Sequence, residues 1–476
     1  MKTAVKRILA LILAGIMLLA VLSCAKEETP SGASAGTDQT NAPSGEAAPD
    51  GSAEPENAPP AWPTRDYSDF VMPEETNELT VYSTGMLGLV MNPAVEIFKK
   101  LYPDVTVNYK VLGDDEFGAI VETEIPAGKG PDLLFCYRFN LPDPYKVMTT
   151  KLFTDINPYF MNDETFRPDD YLEGAMNWGT YRGEKQLVPI EVRVLAFKTS
   201  LETLADGGVD PDAIKTFEDF CAACHTYHET YPRNALFAEG GDDDYMMELL
   251  YASNMPFLDY ENGTVQVDEE KLHTLLDVCK AYHAGKPHKV GMEYTQISGL
   301  FERMYLCSNS SLSPFILLND MTLITRGEGE TPYLLSVPSV QGGKTAEVIS
   351  YAAVPQASQN KLNAYRLLRI LLSEDIQSGR GGGGTAYIRI GMPVRKASIA
   401  DQVTEDKNKF YAELPYSDED AQQIIDYCTS VQSAALIPKI IERYLSLEMM
   451  PYVRGDKPWD DCYKRFLNTL ELYVSE

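Results

Sequence analysis

Strand-like and helix-like patterns alternate between residues 78 and 136, and this alternation constrains the fold more than any other feature of the chain. Apolar and polar residues alternate at 78–82 and again at 105–111, with a helical pattern at 92–101 between them. A second helical segment then leads to an apolar run at 132–136. Strands that alternate with helices form parallel sheets with right-handed crossovers. The sequence therefore predicts an α/β fold.

Polar residues and a glycine stand where these predicted strands end. Ligands of an open α/β sheet bind beyond the carboxyl ends of its strands. The residues at those ends are Ser83, Thr84, Gly85, Asp114, Tyr137 and Arg138. We therefore predict that Ser83, Thr84, Gly85, Asp114 and Arg138 contact a ligand.

The segment 181–200 predicts a further strand that carries an acid and a base. Gly183 favours a turn, and Pro189 can only begin or edge a strand. The following residues are apolar except for Glu191 and Arg193. Because side chains alternate along a strand, these two charges share one face. They form either an ordinary ion pair on a strand surface or a pair that binds a ligand.

The first 24 residues have the pattern of an export signal. Basic residues at positions 2–7 precede an apolar run that is too short to span a membrane. The run ends in Val-Leu-Ser-Cys at 21–24, which fits a bacterial lipobox. This motif implies a signal peptide over 1–23 and a lipidated Cys24 at the mature N-terminus. An ordinary secretory signal with an incidental cysteine is the alternative.

Residues 24–76 are rich in Ala, Gly, Ser, Thr, Pro and Glu, and no aromatic residue precedes Trp62 there. Such a segment buries too little apolar surface to offset the entropy of ordering it, so we predict a disordered tether. The remaining body of about 400 residues exceeds one compact core and predicts two lobes. The formal net charge of −29 argues against nucleic acid as a partner, since phosphates require a basic surface.

Several phrases along the chain occur in a specific order. NELTVYSTG, FKKLYPDVTVNYKV and AGKGPDLLF come first, FTDINPYF follows at 153–160, a helical phrase covers 360–373, and GMPVR stands at 391–395. In this order they resemble the extracellular solute-binding proteins of ABC importers, family 1, sugar-type. The resemblance extends over nearly the whole chain from residue 77.

This resemblance implies a two-lobed periplasmic-binding-protein-like fold of type II, in which the chain crosses three times between the lobes. By analogy, lobe 1 takes 77–190 and 335–372, and lobe 2 takes 194–330 and 375–476. The crossings are then expected near 190–194, 333–337 and 372–376. Glu191 and Arg193 would lie on the floor of a ligand cleft.

The resemblance also implies a function. The protein would be a monomer, lipid-anchored on the extracytoplasmic face of the cell membrane, that captures a small solute and delivers it to ABC permease subunits. A carbohydrate is the expected solute. Neither enzymatic activity nor a cofactor is expected.

Aromatic rings stack on the C–H faces of sugars, so aromatic residues near the predicted cleft are further candidates. By position these are Trp178, Tyr245 and Tyr351. Arg389 follows a run of four glycines at 381–384, which is either a flexible loop or a close approach of the backbone to a ligand. Arg389 is the last predicted ligand contact.

Cys221, Cys224, His225 and His228 have the spacing of a metal or haem site. They lie in a predicted amphipathic helix at 217–228, where cysteines that pack in the core are the favoured interpretation. We therefore predict no metal ligands.

Two other functions remain open at this point. A membrane-tethered secreted hydrolase of the glycosidase type would need a pair of catalytic carboxylates. The chain has 70 acidic residues, and no pair is distinguished from the rest by sequence. A ligand-sensing lipoprotein without a role in transport would keep the same fold and the same cleft.

Overall fold

This computed structural model describes residues 66–231, 242–285, 331–379, 391–410 and 418–476. The predicted signal peptide, Cys24, most of the predicted tether and Arg389 lie outside the described residues. The side chains of Asp114 and Tyr245 also lie outside the description, although the backbone of both residues is helical.

The strands follow one another along the described chain. They are β1 (Glu78–Thr84), β2 (Thr106–Leu112), β3 (Leu133–Tyr137), β4 (Thr180–Tyr181), β5 (Glu184–Lys185), β6 (Val188–Val194), β7 (Phe197–Ser200), β8 (Leu258–Asp259), β9 (Thr264–Val265), β10 (Pro332–Leu335), β11 (Lys344–Ala353), β12 (Met392–Pro393) and β13 (Val431–Ala435).

Helices connect these strands and form most of the remaining structure. They are α1 (Gly88–Leu101), α2 (Asp114–Thr123), α3 (Pro144–Thr149), α4 (Asn157–Met161), α5 (Glu173–Asn177), α6 (Leu201–Asp206), α7 (Phe217–Thr230), α8 (Asp242–Ser253), α9 (Glu269–Gly285), α10 (Lys361–Leu371), α11 (Glu374–Gln377), α12 (Lys396–Phe410), α13 (Asp418–Thr429), α14 (Lys439–Glu448), α15 (Met450–Val453) and α16 (Trp459–Ser475). Short 3-10 helices lie at Gly85–Leu87, Pro168–Asp170 and Pro211–Ala213. No helix in the described ranges combines the length and the apolar character that a membrane span requires.

Seven strands within the described residues form one central sheet in the order β12-β6-β11-β3-β1-β2, with β13 beside β11. Strand β1 pairs in parallel with both β2 and β3. The predicted series of strand, helix, strand, helix and strand is therefore confirmed. The three strands of this series end one or two residues after the predicted ends. The agreement is close because the alternation of apolar and polar residues depends only on neighbouring positions.

Strand β11 is the centre of this sheet. It pairs antiparallel with β6 along one side. Along its other side it pairs with β13 near its start and with β3 near its end. All but the first of its residues are buried. Because β11 contacts strands from distant parts of the chain, it fixes where the end of β3 and the charged residues of β6 meet.

Within the part of the chain that the structure describes, two separate clusters of buried apolar residues form the cores. The first core draws mainly on residues 79–196 and 346–436. The second core draws mainly on residues 197–337 and 437–470. Along the sequence the chain passes between the cores at Ala196–Phe197, between Val337 and Ala346, and at Leu436–Ile437.

The third of these passages differs from the predicted one near 372–376. Ile376, Met392, Ile399 and Ile424 are buried in the first core, although the predicted boundaries place 375–476 in lobe 2. The physical reason is strand pairing. Strand β12 pairs with β6 and β13 pairs with β11, so this later part of the chain is drawn into the central sheet. The exact lobe boundaries stay a proposal.

The helix that carries Cys221 and Cys224 packs as a core helix. Thr216 and Asp219 form a capping box at the start of α7. Both thiols are buried in the second core, and burial raises the pKa of Cys221 to about 12. Within the described residues, no three His, Cys, Asp or Glu side chains are grouped so that they could hold a metal ion. Both cysteines pack among the apolar side chains of the second core.

Replacing Asp163 with asparagine is expected to lower the free energy of unfolding by about 1–3 kcal/mol, because charged hydrogen bonds are lost. The Asp163 carboxylate accepts hydrogen bonds from Tyr365 Oη and Arg369 Nε, both at 2.8 Å, and so fastens the loop after α4 to α10. Burial raises the pKa of Asp163, but these bonds and those from Thr165 outweigh it and lower the pKa to about 2.

The pH dependence of this effect follows from the lowered pKa. A carboxyl whose pKa falls on folding stabilises the folded state above its unfolded pKa and loses that effect as pH falls. Urea unfolding at several pH values should therefore show a constant difference between the two proteins above about pH 5. The difference should shrink progressively from about pH 5 towards pH 1, and a difference that stayed the same from pH 5 to pH 2 would contradict this assignment.

Candidate functional site

Three charged side chains meet where β3, β6 and β11 adjoin. Glu347 on β11 lies opposite Arg193 on β6 in the strand register. Its carboxylate forms ion pairs with both Arg193 and Arg138, which follows β3 directly. The Arg138 amide donates a hydrogen bond of 2.9 Å to the carbonyl of Ile349, so β11 also fixes the backbone of Arg138. One carboxylate therefore holds two guanidinium groups side by side.

Helix α8 supplies the facing wall from the second core. The Arg138 guanidinium lies 5.4 Å from the ring centroid of Tyr251 on this helix, within the range of a cation–π contact. The Tyr251 hydroxyl donates its single hydrogen to the carboxylate of Glu442, and the Ile437 carbonyl oxygen lies 3.3 Å from the same hydroxyl oxygen. The side chain of Tyr251 is thereby held against the base of the site.

These residues border a cavity between the two cores, which we call the central cavity. In this structure its free volume is about 10 Å³, roughly the space of one water molecule, and it opens to solvent. Its lining residues are Arg193, Val194, Leu195, Glu248, Tyr251, Ala252, Thr345 and Glu347. Polar groups from β6, β11 and α8 thus converge on one space, as the few orienting polar groups of a small-molecule site do.

The electrostatics of the cavity come from burial and from a near balance of charge. Burial lowers the pKa of Arg193, and the positive charge of Arg138 lowers it further. Burial raises the pKa of Glu442, while the hydrogen bond from Tyr251 and the two arginines lower it. Two arginines and three glutamates, with Glu248 as the third acid, lie around the site. Such a set offers directional donors and acceptors without a large net charge, which suits a neutral polar ligand.

Glu191 does not accompany Arg193 into the central cavity. It is fully buried and accepts a hydrogen bond of 2.8 Å from Ser350 Oγ. The pairing of β6 with β11 shifts register between Val348 and Ser350, which separates the partners of Glu191 and Arg193. Gly391 packs directly over this strand, since a Cβ atom there would lie 3.1 Å from the Cβ of Glu191. The predicted neighbours on one strand face thus have different surroundings.

The first predicted contacts lie at the carboxyl ends of β1 and β3, as expected. Ser83 and Thr84 are buried at the end of β1, and Ser83 Oγ lies 2.7 Å from Tyr109 Oη. Thr84 Oγ1 donates to Asn140 Oδ1 at 3.5 Å. Gly85 is exposed in the 3-10 helix that follows. None of these residues lines the central cavity, although they lie at the same edge of the sheet as Arg138.

The predicted aromatic contacts lie mostly in the first core. Tyr351 is fully buried, and its ring centroid lies 5.2 Å from that of Trp178. Trp178 is also buried and donates from Nε1 to Tyr145 Oη at 2.8 Å. Both rings therefore pack in the interior rather than over the central cavity. Tyr245 begins the second turn of α8, and its side chain lies outside the described residues.

Sequence reasoning missed Glu347, Glu248, Tyr251 and Glu442. Glu347 had a usable signal, because it is the one charged residue inside the apolar run 345–354. The same reasoning that selected Glu191 and Arg193 would have selected it. The other three lie on amphipathic helices, where acids and tyrosines are too common to stand out.

The comparisons with known proteins agree with this architecture. The family model described as bacterial extracellular solute-binding protein matches residues 87–378. A comparison with curated protein sequences finds no match.

Solved structures extend the likeness over most of the chain. The sugar-binding protein MalE from Xanthomonas citri has a TM-score of 0.58 and 14% identity, covering 84% of this chain and 97% of that one. A putative oligosaccharide periplasmic-binding protein from Synechococcus has a TM-score of 0.54 and 14% identity, covering 83% and 99%. The cyclic alpha-maltosyl-1,6-maltose binding protein from Arthrobacter globiformis has a TM-score of 0.52 and 15% identity, covering 84% and 99%.

The predicted two-lobed periplasmic-binding-protein-like fold is confirmed by these likenesses. The family model also covers more than half of the chain. The protein is therefore a member of the bacterial extracellular solute-binding protein family.

Proposed function

We propose that the protein captures a small carbohydrate between its lobes, at the residues that line the central cavity, and delivers it to the membrane subunits of an ABC importer. Because the cavity measures only about 10 Å³ in this structure, the lobes must part to admit the solute. The observation that carries this proposal is the convergence of polar side chains from β6, β11 and α8 at the junction between the two cores. Several relatives of similar fold are sugar-binding or oligosaccharide-binding proteins by description.

The chemistry of the cavity supports a neutral, hydroxyl-rich ligand. Arg193 offers guanidinium donors, and Glu347 and Glu248 offer carboxylate acceptors. A sugar hydroxyl both donates and accepts, so it can replace the water that such groups otherwise bind. Tyr251 adds an aromatic ring, which can pack against the C–H face of a sugar ring.

Binding would act through the position of the lobes. A solute that contacts side chains from both lobes favours the arrangement in which both sets of contacts form, so it draws the lobes together. The closed arrangement would then be the form that the permease recognises. No covalent bond is made or broken in this scheme.

The N-terminal segment completes the proposal. We propose that Cys24 carries a diacylglycerol group, which would anchor the protein stably to the extracytoplasmic face of the cell membrane. The tether over 24–76 would then let the folded body reach both the solute outside and the permease in the membrane.

The experiment is a thermal-shift screen of monosaccharides and oligosaccharides, with amino acids as the comparison class. A solute at 100 times its Kd should raise Tm by about 3 °C, because it stabilises the folded state by about 2.7 kcal/mol in a body of this size. Arg193→Ala should remove the shift, and Arg454→Ala, at an exposed position, should keep it. A carbohydrate shift that survives in Arg193→Ala would contradict this site, and shifts only with amino acids would contradict the solute class.

A further inference from the structure

A further cavity lies where the two cores adjoin. We call it the junction cavity, and its wall consists mainly of 254–258, 435–438, Tyr145 and Tyr260. Among the described residues that line the two cavities, none is shared with the central cavity. The free volume of the junction cavity is about 240 Å³, against about 10 Å³ for the central cavity. Because a cavity of ~150 Å³ already holds benzene, the junction cavity has room for a molecule of two fused rings.

Both cores contribute to the wall of the junction cavity. Tyr145 and Leu436 pack in the first core. Met255, Phe257 and Ile437 belong to the second core. A molecule in this cavity would therefore contact side chains of both cores.

The wall is mostly apolar, and it carries no ionic group. The polar side chains that line it are Asn254, Gln341, Tyr145 and Tyr260, and none of the described lining residues is charged. A charged molecule that entered the cavity would lose part of its hydration without gaining an ionic partner, which is unfavourable. The lining therefore favours a neutral molecule with a mainly apolar body.

Tyr145 offers a hydrogen-bond donor at this wall. Its hydroxyl oxygen accepts hydrogen bonds from Trp178 Nε1 at 2.8 Å and from the Leu436 amide at 3.3 Å. A tyrosine hydroxyl also has one hydrogen to donate. Burial raises the pKa of Tyr145 to about 12, so the hydroxyl keeps this hydrogen at neutral pH. Among the described residues the Tyr145 hydroxyl has no acceptor for it, so an oxygen atom of a ligand can take it.

Tyr260 places an aromatic ring beside this donor. Its hydroxyl donates to Asp143 Oδ2 at 2.8 Å, which holds the side chain in place. Its ring stacks on the ring of Tyr145, with centroids 5.5 Å apart. Together with Phe257, these rings give the cavity three aromatic side chains against which a flat ring can pack.

We propose that the junction cavity is a second binding site, which takes a small neutral aromatic molecule that carries a hydroxyl or carbonyl oxygen. The oxygen accepts the hydrogen of the Tyr145 hydroxyl, and the rings of the ligand pack among Tyr260, Phe257 and the side chains of 435–438. The amides of Asn254 and Gln341 can bond a second polar group. This site goes beyond the proposed capture of a carbohydrate and does not depend on it, since the two cavities have separate walls.

The first test compares two probes that share one two-ring body, 2-naphthol and 2-naphthoate. Isothermal titration calorimetry of the full chain at pH 7 should show one molecule of 2-naphthol bound with a Kd of about 1 mM or lower, as expected for a ligand of this size. The carboxylate of 2-naphthoate is charged at this pH, so this probe should not bind measurably. Equal binding of both probes, or binding of neither, would overturn the proposal.

Hydrogen–deuterium exchange locates the site without any substitution. Saturating 2-naphthol should slow amide exchange at 254–260 and 435–441 and leave it unchanged at 193–195, beside the central cavity. Slower exchange at 193–195 alone would place the probe in the central cavity and contradict the second site.

The variant Tyr145→Phe tests the donor. It should raise the Kd of 2-naphthol by about threefold to tenfold, because one hydrogen bond to the ligand is lost. The matched control Tyr365→Phe removes a hydroxyl that donates to Asp163 in another part of the first core, and it should leave the Kd unchanged. The same Kd in Tyr145→Phe and the wild type would refute the role of this hydroxyl. Failure of every carbohydrate to bind would refute the proposed function alone, since none of these measurements uses a carbohydrate.

Discussion

Replacing Glu347 with glutamine is expected to lower the free energy of unfolding by about 3–5 kcal/mol, the usual cost of removing one partner from a buried ion pair. The Glu347 side chain is 4% exposed and binds the guanidinium groups of Arg138 and Arg193. Both arginines keep their charge at any ordinary pH. Without the carboxylate, two like charges would face each other in a partly buried site.

Glutamine is the most specific replacement because it keeps the volume of the side chain and removes only its charge. Urea unfolding followed by circular dichroism measures the change. The matched control is Glu96→Gln, at an exposed Glu96 that pairs with Lys99 at 3.2 Å within helix α1. Exposed pairs of this kind contribute about 0.3–0.5 kcal/mol, so the control should remain close to the wild type.

A double variant separates charge repulsion from lost packing. Adding Arg193→Met to Glu347→Gln removes one of the two like charges, so it should restore at least about 1 kcal/mol of the lost stability. Additive losses would show that repulsion between the arginines is not the cause. A loss below about 1 kcal/mol in Glu347→Gln alone would contradict the idea that Glu347 holds the arginine pair together.

Replacing Lys185 with methionine is expected to lower the free energy of unfolding by about 2–4 kcal/mol, because buried carbonyl groups lose their hydrogen-bond donor. Lys185 on β5 is 1% exposed. Its Nζ donates to the carbonyl of Met176, to the carbonyl of Trp178 at 2.6 Å and to Thr180 Oγ1 at 3.4 Å. It thus caps the end of α5 and fixes the turn before the segment that carries Arg193.

The effect of Lys185→Met should increase with pH. Burial lowers the pKa of Lys185 to about 7, although the charge of Asp155 raises it. Between pH 7 and about 10.4, the unfolded value, the unfolded chain therefore binds more protons than the folded one. The contribution of Lys185 to folding rises with pH across this window, since a neutral amine is cheaper to bury and still donates two hydrogens.

Urea unfolding at pH 6 and pH 9 measures this difference. Lys185→Met should be more destabilised relative to the wild type at pH 9 than at pH 6. Lys100→Met, at an exposed position of α1, is the matched control and should show little change at either pH. A penalty that is equal at both pH values would mean that Lys185 stays charged in the folded protein, contrary to this prediction.

Local patterns of residues were sufficient to predict several strands and helices and the family. The period-2 alternation at 78–82 and 105–111 predicted β1 and β2, and the apolar run at 132–136 predicted β3, with the parallel pairing that the structure has. The helical pattern at 217–228 likewise predicted α7. These predictions succeeded because the alternation of side chains and the capping of helices depend on residues only a few positions apart.

Which of the predicted side chains meet depends instead on how distant parts of the chain pack together. A register shift between β6 and β11 pairs Glu191 with Ser350, and β11 brings Glu347 to Arg193 across 154 positions of the chain. Asp143 meets Tyr260 and Tyr473 across 117 and 330 positions. Pairings at such separations follow from how sheets and helices pack. No local pattern in the sequence records them, because the hydrophobic period of a strand is the same whichever strand lies beside it.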